Sequence, residues 1–211
     1  TDSSNSYSYR GWSGGRNYSI SQTSTVSGSV YTAEALITAG DLDIVKTETW
    51  RSNSLTVGIK FEITNAGSDT LTGLKFSFGV DPDFLDPGNF NTINDVTDND
   101  GNGYDDLVTA RGPNGGFTVG FRACDADRAT VGFAAFETKS SFTLADDNGT
   151  TSDRVMWIQQ EETKLIPGQT IEFSFMVSLG SSLANARTEI ASNETLYCPC
   201  DSDGDGYKKI T

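Results

Sequence analysis

The sequence predicts an all-β protein: an antiparallel β-sandwich or jelly roll with a long aspartate-rich connection between strands and at most one short helix. Three observations predict this class: a period of two in the clearest apolar segments, many glycine-containing turns, and the lack of a convincing helical period. The 211 residues fit one large β domain with tails. The content of 36% hydrophobic residues and 22 glycines is typical of a folded, β-rich protein.

The strands are predicted from segments in which apolar and polar residues alternate. The pattern is clearest at 55–64, 74–80 and 171–179, where every second residue is apolar. Weaker strands are predicted at 17–24, 29–38, 42–50, 107–111, 117–123, 130–137 and 154–160. One short helix is predicted at 182–191, with Ser181 or Ser182 as its N-cap.

We divide the chain into three parts on composition. Residues 1–16 form an N-terminal arm rich in serine, glycine and aromatic residues, and 17–195 form a single β-sandwich domain. Residues 196–211 form an acidic tail rich in cysteine and aspartate. Within the domain, 81–106 is interpreted as the calcium-binding connection.

This connection contains eight aspartates and no lysine or arginine, and it includes the run DNDGNGYDD. Carboxylates this close together repel one another unless a cation lies among them. Oxygen ligands fall at positions 1, 3, 5, 7 and 9 of a tight loop, with Gly103 at position 6: Asp98, Asp100, Asn102, the Tyr104 carbonyl and Asp106. This order predicts a Ca2+ site. The alternative is a solvated acidic turn.

The run resembles the short Asp-rich calcium loops of thrombospondin type-3 repeats and the first half of EF-hand or dockerin loops. It departs from the EF-hand at position 12, where Thr109 stands in place of the bidentate glutamate. A further ligand is therefore expected from the nearby aspartates, which are Asp95, Asp105, Asp81, Asp83 and Asp86.

A second calcium-like run lies in the C-terminal tail. Asp201, Asp203 and Asp205 occupy positions 1, 3 and 5, followed by glycine at position 6. Position 9 is Lys209, which would repel a cation. We interpret the run as a half-site, or as the start of a longer calcium-repeat or anchoring segment. The alternative is a flexible acidic tail.

Two segments, FEITNAGSDTLTGLKFSF (61–78) and LIPGQTIEFSFMV (165–177), resemble parts of bacterial surface immunoglobulin-like modules. In such modules two strands joined by an Asn/Gly turn are followed by a Pro-Gly turn and another strand. The resemblance covers under a fifth of the chain and implies a β-sandwich of the cell surface.

The three cysteines leave the disulfide pattern open. Cys124 can pair with Cys198 or with Cys200, closing a loop of about 75 residues that is worth about 4 kcal/mol in the chain-entropy model. A bridge between Cys198 and Cys200 spans one residue and would be strained. A zinc site is disfavoured because the chain has no histidine.

Composition also excludes several functions. The net charge of −14 argues against nucleic acid and anionic membranes as partners. No apolar run is long enough for membrane insertion. The missing histidines exclude a Ser-His-Asp triad or a Cys-His pair. Glycoside hydrolysis needs two carboxylates across a cleft, and the spacing of the available carboxylates does not distinguish any pair: Asp125, Asp127, Glu161 and Glu162. We therefore predict that the chain is not an enzyme.

The aromatic residues allow several interpretations. The N-terminal arm carries Tyr7, Tyr9, Trp12 and Tyr18. These side chains would stack on sugar rings, or the arm would add a strand to the sheet of a neighbouring subunit, or it would fold back on its own domain. Trp50 and Trp157 occupy strand positions and are expected in the core or on a sheet face.

The function predicted first is that of a secreted, calcium-stabilised structural or adhesive protein, a subunit of a cell-surface layer, filament or extracellular matrix. Its expected partners are further copies of itself or other surface proteins. Secretion is expected because calcium is millimolar outside the cell. The alternative is a calcium-dependent carbohydrate-binding module that binds glycan, including one that belongs to a larger secreted enzyme.

Overall fold

The alternating segments form β-strands in the computed structural model of the protein. The structure describes residues 19–83, 91–98, 106–114, 117–125, 128–134, 144–146 and 148–198. Its strands are β1 (Ser19–Ser27), β2 (Val30–Ala39), β3 (Leu42–Arg51), β4 (Thr56–Asn65), β5 (Leu71–Val80), β6 (Thr92–Thr97), β7 (Leu107–Arg111), β8 (Thr118–Ala123), β9 (Ala129–Ala134), β10 (Thr150–Ser152), β11 (Val155–Leu165) and β12 (Thr170–Gly180). The helix is α1 (Leu183–Tyr197).

The strands form two antiparallel sheets of unequal size. The large sheet has nine strands in the order β1-β2-β3-β4-β12-β8-β7-β6-β10, and the small sheet has three in the order β5-β11-β9. Their facing apolar side chains enclose the main core. Its largest fully buried members are Phe121, Phe133, Phe175, Ile63, Met156, Ile158 and Leu165. The predicted all-β sandwich is thus confirmed.

Two strands, β6 and β10, were not predicted from the sequence. Their side chains lack the apolar alternation because the buried positions of β6 include Thr92 and Asn94. The polar groups are satisfied locally: the Thr92 hydroxyl donates to Asn94 Oδ1 at 2.6 Å, and Asn94 Nδ2 donates to Ser152 Oγ at 2.9 Å. As a result, the interval 81–106 contains a strand of the large sheet.

The helix α1 begins where predicted but is longer. Ser182 is the N-cap, and its side chain accepts a hydrogen bond from the main-chain N–H of Asn185. The helix ends at Tyr197, beyond the predicted end at 191, because Ile190 and Tyr197 pack into a second apolar cluster on the outer face of the large sheet. Nowhere in the described residues does a helix have the length and hydrophobicity needed to cross a membrane.

Two glycines of the large sheet allow α1 to approach closely. A Cβ atom at Gly58 of β4 would lie 2.6 Å from the Tyr197 ring. A Cβ atom at Gly180, the last residue of β12, would lie 2.4 Å from the main-chain N of Ala186. Contacts this short do not occur, so a larger side chain at either position would displace the helix.

The C-terminal end of α1 is fixed to the sheet by a disulfide and a buried ion pair. Cys124, which follows β8, is bonded to Cys198 directly after the helix, so the structure selects one of the two pairings left open above. Arg122 of β8 is 4% exposed and donates from Nε to Asp106 Oδ2 at 2.7 Å. Its Nη1 contacts the Glu194 carboxylate on the helix.

The Gly58→Ala substitution is expected to lower the free energy of unfolding by about 1–3 kcal/mol, because the added methyl group overlaps the Tyr197 ring. Chemical denaturation measures this change. The Gly58→Ala/Tyr197→Ala variant is the control, and its loss should be smaller than the sum of the two single losses. Additive losses would contradict the contact between residue 58 and the helix.

Candidate functional site

The inner face of the large sheet extends beyond the small sheet along β3, β2 and β1. Cross-strand partners identify this face: Trp50 is paired with Val57, and Val57 packs against the main core. At the opposite end of β3, Leu42 and Ile44 also pack against the core. Partners of an antiparallel pair point to the same side of the sheet. The inner-face residues of the three strands thus include Val26, Tyr31, Ala33, Ala35, Ile37, Lys46, Glu48 and Trp50.

Tyr31 and Trp50 form an aromatic platform on this face. They are direct cross-strand partners, and their rings stack with centroids 5.6 Å apart and an interplanar angle of 10°. Both side chains are partly exposed, and neither belongs to the core clusters formed by the described residues. The stack is therefore a partly exposed aromatic pair on a sheet face.

Charged groups lie beside the platform on the same face. Lys46 forms an ion pair with Glu48, and both side chains are partly exposed. Lys46 Nζ also lies 5.9 Å from the centroid of the Phe61 ring. Next to them on β2 lie the buried Ala33 and the partly buried Ala35, so the face combines aromatic rings with an ion pair and small apolar residues. Aromatic side chains beside a few polar groups are typical of the lining of ligand sites.

A separate acidic cluster lies where β5 ends and β11 begins. The partner of Val80 is Met156, so Asp81, directly after β5, comes close to Asp153, just before β11. Carboxylate oxygens of Asp81, Asp83 and Asp153 lie within 4.8 Å of one another, and all three residues are exposed. Such a group of oxygens could hold a metal ion.

The pKa of Asp81 reflects both its partial burial and repulsion between the carboxylates of this cluster. Partial burial raises the pKa of Asp81, and the negative charges of Asp83 and Asp153 raise it further. A divalent cation would remove this repulsion. The structure thus supports a candidate metal site at these three carboxylates.

The predicted loop ligands at positions 1 and 9 lie on the two sides of one β-hairpin connection. Asp98 follows β6 and Asp106 precedes β7, and the N–H of Asp106 donates to the Thr97 carbonyl at 3.2 Å. Asp106 is fully buried and its Oδ2 accepts from Arg122, so this oxygen is not free for a metal ion. Asp95 lies in β6, with Oδ2 3.8 Å from Arg111 Nε.

The other predicted ligands lie outside the described residues: Asp100, Asn102, Tyr104, Asp105, Asp86, Asp201, Asp203 and Asp205. The aromatic residues of the N-terminal arm, Tyr7, Tyr9, Trp12 and Tyr18, lie outside them as well. The loop site, its likeness to thrombospondin and dockerin loops, the half-site in the tail and the role of the arm therefore remain predictions.

The structure corrects the suggestion that Asp81 and Asp83 complete the loop site. Ser152 is the partner of Thr92, so the cluster with Asp153 lies near the first residue of β6. Asp98 follows the last residue of that strand. The length of β6, about 3.3 Å per residue, separates the two groups. An ion that is bound by Asp81 cannot also be bound by Asp98, so the two groups are independent.

Sequence reasoning missed the platform and Asp153. A signal for the platform was present: β2 and β3 are joined by a two-residue turn, Gly40-Asp41, with Gly40 at a φ of 66°. This turn sets the register in which Tyr31 lies opposite Trp50. No sequence signal marks Asp153, because its proximity to Asp81 depends on pairing between β5 and β11, which are distant in the chain.

No protein-family model and no curated protein matches the chain. Among solved structures, it is similar to a protein from Klebsiella pneumoniae assigned as an aldose 1-epimerase. That likeness has a TM-score of 0.50 at 9% identity and covers 89% of this chain and 59% of the other. It is also similar to the GH36 α-galactosidase AgaA A355E from Geobacillus stearothermophilus, with a TM-score of 0.49 at 10% identity, covering 81% of this chain and 27% of that one. The chain thus spans less than two thirds of the length of either structure.

The likeness to the Klebsiella structure shows a shared fold and corrects one prediction. The absence of histidine led to the prediction that the chain is not an enzyme, and this is contradicted because the same β-sandwich fold occurs in a protein assigned as an aldose 1-epimerase. A catalytic triad is one of many kinds of active site, so the lack of its residues does not exclude catalysis of another kind.

The Asp81→Asn substitution is expected to raise the melting temperature slightly in metal-free buffer at pH 7. The raised pKa of Asp81 means that its ionised form is less favourable in the folded than in the unfolded chain, so its charge destabilises the fold at neutral pH. The gain should shrink as the pH falls towards the pKa and Asp81 becomes protonated. Asp146→Asn, at an exposed carboxylate outside the cluster, is the control, and an equal gain there would contradict the repulsion.

Proposed function

We propose that the chain is a carbohydrate-binding β-sandwich domain that binds a neutral glycan on the inner face of β1–β3. The observation that carries the proposal is the Tyr31–Trp50 platform, a partly exposed aromatic stack on an open sheet face. The apolar C–H face of a sugar ring packs on such a surface, and its hydroxyl groups form hydrogen bonds with neighbouring charged side chains. Lys46 and Glu48 lie on the same face to supply those bonds.

The charge of the chain favours neutral sugars. With 29 acidic and 15 basic residues, the net charge is −14, and it would repel sulfated or carboxylated glycans. Lys46 is already paired with Glu48, which reduces its attraction for an anion. The similar structures are named as an aldose 1-epimerase and an α-galactosidase, and a sugar ligand here is consistent with those names.

We further propose that calcium stabilises the domain at two separate places. One is the cluster of Asp81, Asp83 and Asp153, whose oxygens lie within 4.8 Å of one another. The other is the predicted loop from Asp98 to Asp106, whose two ends are held together by the β6–β7 hairpin. Calcium is the metal proposed because aspartate oxygens are its usual ligands, and because both groups lack histidine and thiol ligands.

An extracellular location is proposed on two grounds. Disulfides such as Cys124–Cys198 form and persist in oxidising compartments. Aspartate-based calcium sites of modest affinity fill at the millimolar calcium concentration found outside cells. The structural or adhesive role predicted first from the sequence is a second proposal, and the feature that favours it is the uncharged edge strand β1.

Trp50→Ala and Tyr31→Ala should each weaken glycan binding by about tenfold, equivalent to about 1.4 kcal/mol, because each removes one ring of the stack. The probes are galactose- and glucose-terminated oligosaccharides on an array, followed by calorimetry on those that bind. Trp50→Phe and Tyr31→Phe retain an aromatic surface and should keep most of the affinity.

Leu36→Ala is the matched control, because Leu36 is an exposed apolar residue of β2 on the opposite face. If none of the oligosaccharides binds, or if the alanine variants at positions 31 and 50 bind as well as the parent, the platform is not a glycan site.

Calcium chloride should raise the melting temperature, and EGTA should reverse the rise. At a hundredfold excess over the dissociation constant, each site would contribute about 2.7 kcal/mol. The variant Asp81→Asn/Asp153→Asn should lose one contribution and Asp98→Ala/Asp100→Ala the other, whereas Asp146→Asn should lose neither. Undiminished calcium binding by either double variant in calorimetry would remove that site from the proposal.

A further inference from the structure

Each of the two sheets has two edge strands. An edge strand exposes unpaired N–H and C=O groups that can pair with another chain. The edges of the large sheet are β1 and β10, and those of the small sheet are β5 and β9. Stable proteins protect such edges with charge, short length or a covering segment. Comparing the four edges shows where this chain lacks such protection.

Three of the edges are protected. β10 has three residues and is followed directly by Asp153. β5 carries Lys75 near its centre, in an ion pair with Glu161. The outer side of β9 is partly covered, because Phe133 exchanges two main-chain hydrogen bonds of 2.8 Å with Ala145.

The remaining edge, β1, has none of these protections among the described residues. It has nine residues and pairs with β2 along its whole length. Its sequence, SISQTSTVS, contains no charged residue and no proline, and the chain carries no charge from residue 17 to residue 33. Residues 23–27 are exposed, and Val26 is 62% exposed.

We propose that β1 pairs antiparallel with β1 of a second copy of this chain, joining two large sheets across a two-fold axis. A two-fold axis brings the same strand against itself, so the partner must be uncharged where it faces β1. β1 meets this condition, whereas most of the surface of a chain with a net charge of −14 repels another copy.

The interface would consist of main-chain hydrogen bonds and small polar contacts. Nine residues of strand extend about 30 Å and allow about one interstrand hydrogen bond per residue pair. Serine and threonine side chains that face each other across two strands add favourable contacts. Because both copies are strongly acidic, salt screens their repulsion and strengthens the dimer. An interface built from ion pairs would weaken with salt instead.

The test is sedimentation velocity of the full chain over a wide range of protein and salt concentrations. We expect a monomer–dimer equilibrium that shifts towards dimer as salt is added. Thr23→Lys and Thr25→Lys place equal charges on both sides of the two-fold axis, and each should weaken dimerisation about tenfold at a salt concentration that screens the long-range repulsion between the acidic copies.

Thr151→Lys on β10 is the matched control, because it makes the same change of charge on the other edge of the same sheet. It should leave the dimer intact. A chain that stays monomeric under all conditions, or a dimer that Thr151→Lys weakens as much as Thr25→Lys, would overturn the proposal. The glycan proposal is independent, since Trp50→Ala should lose glycan binding and still dimerise.

Discussion

The unequal size of the two sheets is the constraint on which the other features depend. A three-stranded sheet cannot cover a nine-stranded one, so the apolar core forms only where the two overlap. Phe121, Phe173 and Phe175 of β8 and β12 lie in that overlap and are buried. The inner face of β3 and β2 continues past it. An inward-facing side chain of β4 is therefore buried, whereas its neighbour on β3, which points to the same side of the sheet, is partly exposed.

The outer face of the large sheet is covered differently. There α1 packs over β4, β12 and β8, and glycines in the sheet make room for it. Arg122 is buried beneath the helix, where an unpaired guanidinium would be costly, and the carboxylates of Asp106 and Glu194 compensate its charge. The contacts of Arg122 with these two carboxylates and the adjacent disulfide fix the C-terminal end of α1 to the centre of the large sheet. Among the described residues, Tyr31 and Trp50 on the inner face of β1–β3 stay partly exposed on this braced sheet.

Acidic groups occur at two places that the sheet keeps apart. The cluster around Asp81 joins the end of a strand in the small sheet to the segment between β10 and β11, and so links the two sheets. The Asp98–Asp106 connection closes a hairpin at the other end of β6. A cation bound at one place is separated from the other by the length of a strand. One cation therefore cannot neutralise the carboxylates at both places. Asp106 has a structural role as well, since its carboxylate neutralises Arg122.

The sequence by itself determined the fold class and most strands, because the alternation in segments such as 55–64 follows from burying one face of a strand. It also placed the helix N-cap at Ser182 and limited the disulfide to two pairings. It could not predict β6, whose buried Thr92 and Asn94 carry no apolar signal. Tertiary structure alone decided that Asp153 joins Asp81, that Asp106 pairs with Arg122, and that Trp50 lies outside the core. The physical reason is that local patterns specify which face of a strand is apolar, whereas the opposite sheet decides which part of that face is covered.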